Sequence, residues 1–316
     1  MSETAVAKSS GRIPVVLLNA MLKLSIKPEL AVEGAHLKTS RRSMDRWGSW
    51  MPALSGVSVR HETLSGIPCE IHTPDNSPSN RVIVYIHGGG FAVGSPASHR
   101  NLVSRLAQAA GVKAISMNYR KAPEHPFPAA LNDTVAIYRY CLDQGIKPSN
   151  IVFCGDSAGG NLVLTTLLKL KQDGLPLPAA GCCISPWCDL NLETGSIRGN
   201  AELDLILSPT LLQQFANLYA PADQRRHPLV SPLFGDLAGL PPLLIQVGSH
   251  EVLLDDARHM ATRARDAGVP VELEVWEGMQ HVWHYTAFFL KDGRRALARI
   301  GAFFQEKLND AKDKQM

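Results

Sequence analysis

The run NIVFCGDSAGGN, residues 150–161, decides how the rest of the chain is read. Its first five residues are an apolar strand, and the sequence that follows, AGGNLVLTTLL, has the composition of a helix. Between them Gly155-Asp156-Ser157-Ala158-Gly159 has the form G-x-S-x-G in the strand–turn–helix setting that form requires. A serine at the tip of so sharp a turn takes up a strained backbone, and side chains two positions away would collide with strand and helix. Glycines stand at both places. The first free N–H groups of the helix favour negative charge beside the serine. Ser157 is therefore a candidate nucleophile, against the alternative of a glycine turn without chemistry.

Working outward, short apolar runs alternate with longer amphipathic ones, the pattern of a mostly parallel sheet covered by helices. VSVRHETL and IPCEIHTP read as an opening antiparallel pair. RVIVYIH, VKAISMNY, NIVFCG, AAGCCISP, PPLLIQVG and VELEVWE are the later strands, with helices expected at 97–110, 129–144, 157–173, 254–267 and 285–308. Two stretches break the alternation: the segment before Trp50, with the amphipathic piece IPVVLLNAMLKLSIKPEL, and an insertion at 191–227 with the helix SPTLLQQFANLYA. Together they are expected to form a lid.

A chain of 316 residues with 45% hydrophobic and 19% charged residues can bury a large core as one α/β domain with an elaboration. Its net charge of +3 and the lack of a long basic stripe point away from nucleic acid and anionic membranes. The first residues do not read as a secretory signal, and no apolar run reaches membrane-spanning length. Cys69, Cys141, Cys154, Cys182, Cys183 and Cys188 are scattered without metal-ligand spacing and read as reduced core residues of a cytoplasmic protein. The expected partner is a small molecule, with no integral membrane segment and a homodimer as an open alternative to a monomer.

Strand RVIVYI ends in His87-Gly88-Gly89-Gly90-Phe91, an HGGG loop of the kind that supplies oxyanion-hole amides. The candidate donors are the N–H groups of Gly89 and Gly90, or else those of Gly88 and Gly89, joined by that of Ala158. A serine needs a base. In the chain order Ser, acid, His, the candidates are His227, His250, His259, His281 and His284. His281, in the loop GMQH after the last strand, is the expected base, with His284 its rival and otherwise a supporting residue. The orienting acid should follow PPLLIQVG. Glu251 stands in the turn there, whereas Asp255, the alternative, and Asp256 open the next helix as caps and dipole partners. Asp156 is expected to anchor its turn, and Arg120 and Glu124 to pin a proline-rich scaffold loop. Trp187, Trp47, Trp50 and Met51 are candidate pocket walls.

The set HGGGF, YRKAPEHPFPAAL, GDSAGGN, EVLLDD and GMQH, in that order, resembles the hormone-sensitive-lipase-like esterases, bacterial family IV, from about Arg81 to the C-terminus. The resemblance implies an α/β-hydrolase fold, with a mostly parallel central sheet flanked by helices on both faces and a helical cap. It also implies a serine carboxylesterase acting on short to medium acyl esters, with neither organic cofactor nor metal. It carries over Ser157, His281 and the acid position. Many members have Asp-Pro-Leu where this chain has Glu251-Val252-Leu253. The implied division is a cap segment at 1–50 and a catalytic domain at 51–316 with the insertion at 191–227. Two alternatives are an amidase or arylacetamide-deacetylase-like hydrolase, and a non-catalytic receptor like the plant gibberellin receptors, which resemble the family but lack the histidine.

Overall fold

The structure is a computed structural model that describes residues 5–7 and 34–313. The amphipathic piece at 13–30 lies outside the described residues, as does the side chain of Trp47. Among the described residues nine strands form one sheet: β1 (Ala5–Ala7), β2 (Val57–Leu64), β3 (Ile67–Pro74), β4 (Val82–Ile86), β5 (Lys113–Met117), β6 (Ile151–Asp156), β7 (Ala180–Ile184), β8 (Leu243–Gly248) and β9 (Val271–Trp276). The order across the sheet is β1-β9-β8-β7-β6-β4-β5-β3-β2. β2 pairs antiparallel with β3, and β3 with β5; the remaining pairs are parallel.

Local sequence accounts for this layout. The opening pair is joined by Ser65 and Gly66, both with positive φ (47° and 79°), as a two-residue turn matching the strand twist demands. β2 is an edge and is studded with exposed polar residues, which discourages further pairing. β4 is central and apolar at every position, as a strand covered on both faces should be. Its residues still alternate. Val82, Val84 and Ile86 join one core, and Ile83 and Tyr85 the other.

The helices are α1 (Gly34–Trp50), α2 (Pro96–Ala110), α3 (Ala129–Asp143), α4 (Ala158–Gln172), α5 (Ser196–Gly199), α6 (Pro209–Tyr219), α7 (Leu254–Asp266) and α8 (Lys291–Asp313). Apolar residues of α3, α4 and α7 belong to the first core and those of α2 and α8 to the second. The boundaries of α2 follow from its caps: Ser95 and Ser98 form a reciprocal capping box, Pro96 starts the helix, and Gly111 closes it with φ 62°. The expected helix at 285–308 divides instead into a 3-10 stretch, Trp283–Phe288, and α8. A Cβ at Gly293, in the first turn of α8, would lie 2.5 Å from the Ala287 nitrogen, so the two pieces pack closely across the break.

β4 has β5 on one side and β6 on the other, so successive connections leave it in opposite directions. That is a topological switch point, where ligands settle beyond the strands' carboxyl ends. The HGGG loop follows β4, and the G-x-S-x-G turn follows β6, with Ile86 paired to Gly155. The insertion between β7 and β8 carries α5 and α6, and α6 lies over the HGGG loop. A Cβ at Gly90 would overlap the Phe215 ring, and Tyr219 stacks on Phe91 with ring centroids 3.7 Å apart.

α1, which the sequence pattern gave no reason to expect, is largely polar. Leu37, Arg41, Met44, Asp45 and Gly48 share one face by helical spacing. The Arg41 guanidinium donates to the carbonyls of Ala92 (2.7 Å) and Ala122 (2.8 Å) and forms a two-pronged pair with Glu124, while Ser95 donates to Asp45. All six cysteines are buried and unpaired. No helix among the described residues is long and apolar enough to cross a membrane.

Candidate active site

Ser157 stands between β6 and α4 with φ 55° and ψ −119°, a left-handed stance that only a tightly bonded turn maintains in a non-glycine residue. Its N–H donates to the Ile184 carbonyl (2.8 Å), and its own carbonyl accepts from Asn161 (3.1 Å) and Trp187 (3.2 Å). Its side chain makes no capping bond to α4. The crowding that explains the glycines is real: a Cβ at Gly159 would overlap the Ile86 carbonyl oxygen, backbone that cannot yield.

Asp156 does not face the same way as Ser157. Its buried carboxylate accepts from the Tyr85 hydroxyl (2.7 Å) and the Gly88 N–H (3.0 Å) and lies 3.3 Å from His99 Nε2. Burial opposes its charge, but His99 and the Tyr85 hydroxyl bring its pKa below the ordinary value. Asp156 thus anchors the turn, and it anchors the HGGG loop with it.

That bond bears on the set of candidate donors. With its N–H committed to Asp156, Gly88 is not free to meet a substrate oxygen. The N–H groups of Gly89, Gly90 and Ala158 have no backbone acceptor among the described residues. His87 is a supporting residue. Its ring stacks on Tyr119 with centroids 4.2 Å apart, its Nδ1 donates to the Gly88 carbonyl (2.7 Å), and burial drives its pKa well down, so it is neutral.

His281 and Glu251 meet. Nδ1 of His281 lies 2.8 Å from Glu251 Oε2, with the imidazole 7% exposed and the glutamate fully buried. The other carboxylate oxygen accepts from the Ser185 hydroxyl (2.7 Å) and the Gly248 N–H (2.6 Å). With Nδ1–H directed at the carboxylate, Nε2 is the basic nitrogen of the ring. Burial disfavours the imidazolium, but the bond and charge of Glu251, with Asp204 and Asp156 adding their fields, outweigh it and raise the His281 pKa.

Asp255, Asp256, His284 and His227 have other partners. Asp255 accepts from the Ser196 N–H (2.8 Å) and pairs with Arg258. Asp256 accepts from the N–H groups of Cys188 (2.7 Å) and Asp189 (2.9 Å) and from the Thr194 hydroxyl (2.7 Å). Neither caps α7, whose first residue follows Leu253 without a side-chain cap; both tie the insertion down instead. His284 donates through Nε2 to Gln246 (2.7 Å), and burial lowers its pKa to about 3. His227 accepts the Leu229 N–H (3.1 Å), the backbone N–H of His250 donates to Met279, and His259 lies within α7.

Of the candidate pocket walls, Trp187 is wholly buried with Nε1–H on the Asp189 carbonyl (2.9 Å), whereas Trp50 is 75% exposed. Arg120 pairs with Asp133 and Glu124 with Arg41, as scaffold roles require. Sequence reasoning missed Ser185, which follows β7 with φ 47° and also accepts the Val282 N–H (3.3 Å). Its signal was its place, a serine directly after the strand beside the elbow.

A family model described as the alpha/beta hydrolase fold matches residues 83–285. An acetyl-hydrolase of Streptomyces hygroscopicus is 49% identical over 225 residues, covering 71% of this chain and 75% of that protein. The crystal structure of an esterase from the bacterial hormone-sensitive lipase family superposes with a TM-score of 0.88 at 40% identity, covering 94% of this chain and 99% of that one. A crystal structure of EstE5, soaked with p-nitrophenyl butyrate, gives a TM-score of 0.89 at 38% identity, covering 95% and 100%.

Proposed function

Because the chain belongs to the α/β-hydrolase family, among its hormone-sensitive-lipase-like esterases, and is a serine carboxylesterase, we propose that Ser157, His281 and Glu251 are its catalytic triad and that Gly89, Gly90 and Ala158 form its oxyanion hole. The 2.8 Å contact between His281 Nδ1 and Glu251 Oε2 carries this reading. It supports one histidine and one acid among the several that sequence offered.

The Ser157 hydroxyl attacks the ester carbonyl while His281 Nε2 takes its proton, and Glu251 stabilises the resulting imidazolium without itself being protonated. The carbonyl oxygen, now an oxyanion, receives the loop and elbow N–H groups. Collapse expels the alcohol with the proton from His281 and leaves an acyl-serine. Water, deprotonated by the same nitrogen, attacks the acyl carbon, and a second collapse frees the carboxylic acid and restores Ser157. An oxyanion donor of this kind is worth on the order of 10²–10³ in turnover.

The substrates are short to medium acyl esters, a class supported by the acetyl-hydrolase relative and by the butyrate ester soaked into EstE5. The insertion at 191–227, together with α1, forms the cap, whereas Ala5–Ala7 of the segment before it belongs to the central sheet. Support comes from α6 lying over the HGGG loop and from α1 gripping the carbonyl of Ala92 next to it. A cytoplasmic setting is supported by six buried, unpaired thiols. The test is turnover of p-nitrophenyl butyrate. Ser157→Ala abolishes it and abolishes labelling by a serine-directed organophosphate, with the fold intact by circular dichroism. Glu251→Gln loses activity where Asp255→Asn keeps it; the reverse result removes Glu251 from the triad.

A further inference from the structure

Residues 200–205, within the insertion, reach both loops that carry the acid and the base. Asn200 Nδ2 donates to the carbonyls of Ser249 (3.1 Å) and Glu251 (2.8 Å). Asp204 Oδ2 accepts the N–H of Val252 (2.9 Å), the residue after the acid. Its Oδ1 accepts the N–H groups of Ile206 (2.9 Å) and Leu207 (2.8 Å), so the carboxylate is fixed within the insertion before it reaches out. From the other side, Gln280, the residue before His281, closes on the same stretch. Its Oε1 accepts the Leu205 N–H (2.9 Å), and its Nε2 donates to the Leu203 carbonyl (3.1 Å). Gln280 and Asp204 are both buried.

Five side-chain-to-backbone bonds therefore join one short stretch to the turn after β8 and the loop after β9. Besides them the acid turn is held by Glu251 N–H to Gly248 and His250 N–H to Met279, each 3.3 Å, and by Ser249 N–H to Trp276 (2.9 Å). Gly278 N–H to the Ser249 hydroxyl (2.9 Å), the Ser196 hydroxyl to the Val252 carbonyl (2.6 Å) and the bonds of the Glu251 carboxylate itself also hold it. The clamp adds the bonds on the residues directly before His281 and directly after Glu251. We propose that residues 200–205 and Gln280 form a clamp that fixes the Glu251 turn against the His281 loop, with Gln280 and Asn200 as positioning residues. The insertion then sets catalytic geometry as well as covering the site. This proposal rests on the triad assigned above.

A cover that only touches substrate changes KM when loosened. A clamp on the triad changes kcat, because misplacement of reacting groups by about 1 Å can cost on the order of 10²-fold. The experiment measures kcat and KM for p-nitrophenyl butyrate in Gln280→Met, which keeps length and removes both bonds, in Asn200→Ala, and in the double variant, with Ser157→Ala and organophosphate labelling as controls. The expected result is a kcat lower by roughly tenfold in each single variant with KM within about twofold. The double variant is expected to fall short of the product of the two losses, because both release the same element. Thermal unfolding followed by circular dichroism confirms that each variant is folded; if Gln280→Met is not, Asn200→Ala decides by the same criterion. A raised KM at unchanged kcat, or no change in either while Ser157→Ala is inactive, overturns the clamp alone. Retained turnover or labelling in Ser157→Ala overturns the triad instead, so the two failures are distinguishable.

Discussion

Two serines, Ser157 and Ser185, hold positive φ on neighbouring strand ends. Strain of this kind costs on the order of 1–3 kcal/mol per residue and persists only where surrounding bonds over-determine it. At Ser157 it turns the hydroxyl away from the helix, and at Ser185 it aims the hydroxyl at Glu251. Glu251 should therefore answer to two changes. In Glu251→Gln the negative charge that raises the His281 pKa is gone. His281 works as a base only when neutral, so a lower pKa moves the acid limb of the kcat/KM profile to lower pH, while the plateau drops by roughly 10²–10⁴. An acid limb that stays in place means that the charge of Glu251 does not govern His281. In Ser185→Ala one of two donors to Oε1 is lost and Gly248 remains. Activity is expected to fall by about tenfold and stability by about 1–3 kcal/mol, the cost of leaving the buried Val282 N–H without the Ser185 acceptor, as read from urea denaturation.

At the scale of elements, the fit of α6 over the HGGG loop depends on one missing side chain. Gly90 has φ 56°, and a Cβ there would meet the Phe215 ring. Gly90→Ala is expected to lower kcat and to destabilise by about 1–3 kcal/mol, the usual scale of overpacking. Adding Phe215→Ala should recover part of the thermal midpoint that Gly90→Ala loses; no recovery places the cost in the backbone. Most elements were legible because each carries its own signal. The Ser95–Pro96 start and Gly111 stop of α2 lie within six residues of the apolar pattern they bound. The candidate nucleophile and the glycine donors were legible for the same reason. α1 was not, since it is largely polar and is held by a few apolar contacts, Leu37 and Met44, together with polar bonds to distant carbonyls. Likewise the bonds of Asp204 and Gln280 cross 48 and 75 residues to reach main-chain atoms, which have no identity in a sequence. The proposed acid was half legible: the turn named Glu251 as a candidate, and the bonds of Asp255 and Asp256 to the insertion are visible only in the fold.

Across the whole molecule, the opening antiparallel strands are tied to the sheet's flank by a charge pair outside the proposed triad. Glu70 on β3 is buried and takes a two-pronged bond from Arg100 on α2, with His72 3.6 Å away. Burial opposes its charge, but His72 and Arg100 prevail and hold its pKa down to about 2. A carboxylate depressed on folding stabilises the native state above its unfolded pKa of about 4.5, and that stability is lost as pH falls toward 2. Glu70→Gln should therefore narrow the loss of thermal midpoint between pH 4.5 and pH 2 while lowering it at neutral pH. Equal slopes in the two proteins would show that Glu70 does not report acid unfolding.

The bond from Gly88 to Asp156 has a consequence at this same scale. The residue preceding the proposed nucleophile is also the fixing point of the loop proposed to receive the oxyanion. The proposed attacker and anion trap are thus surveyed from one datum, the end of β6. A displacement of that strand end carries both together, and the error between them cancels instead of accumulating. The two motifs, 68 residues apart in sequence, are one instrument with a single calibration mark.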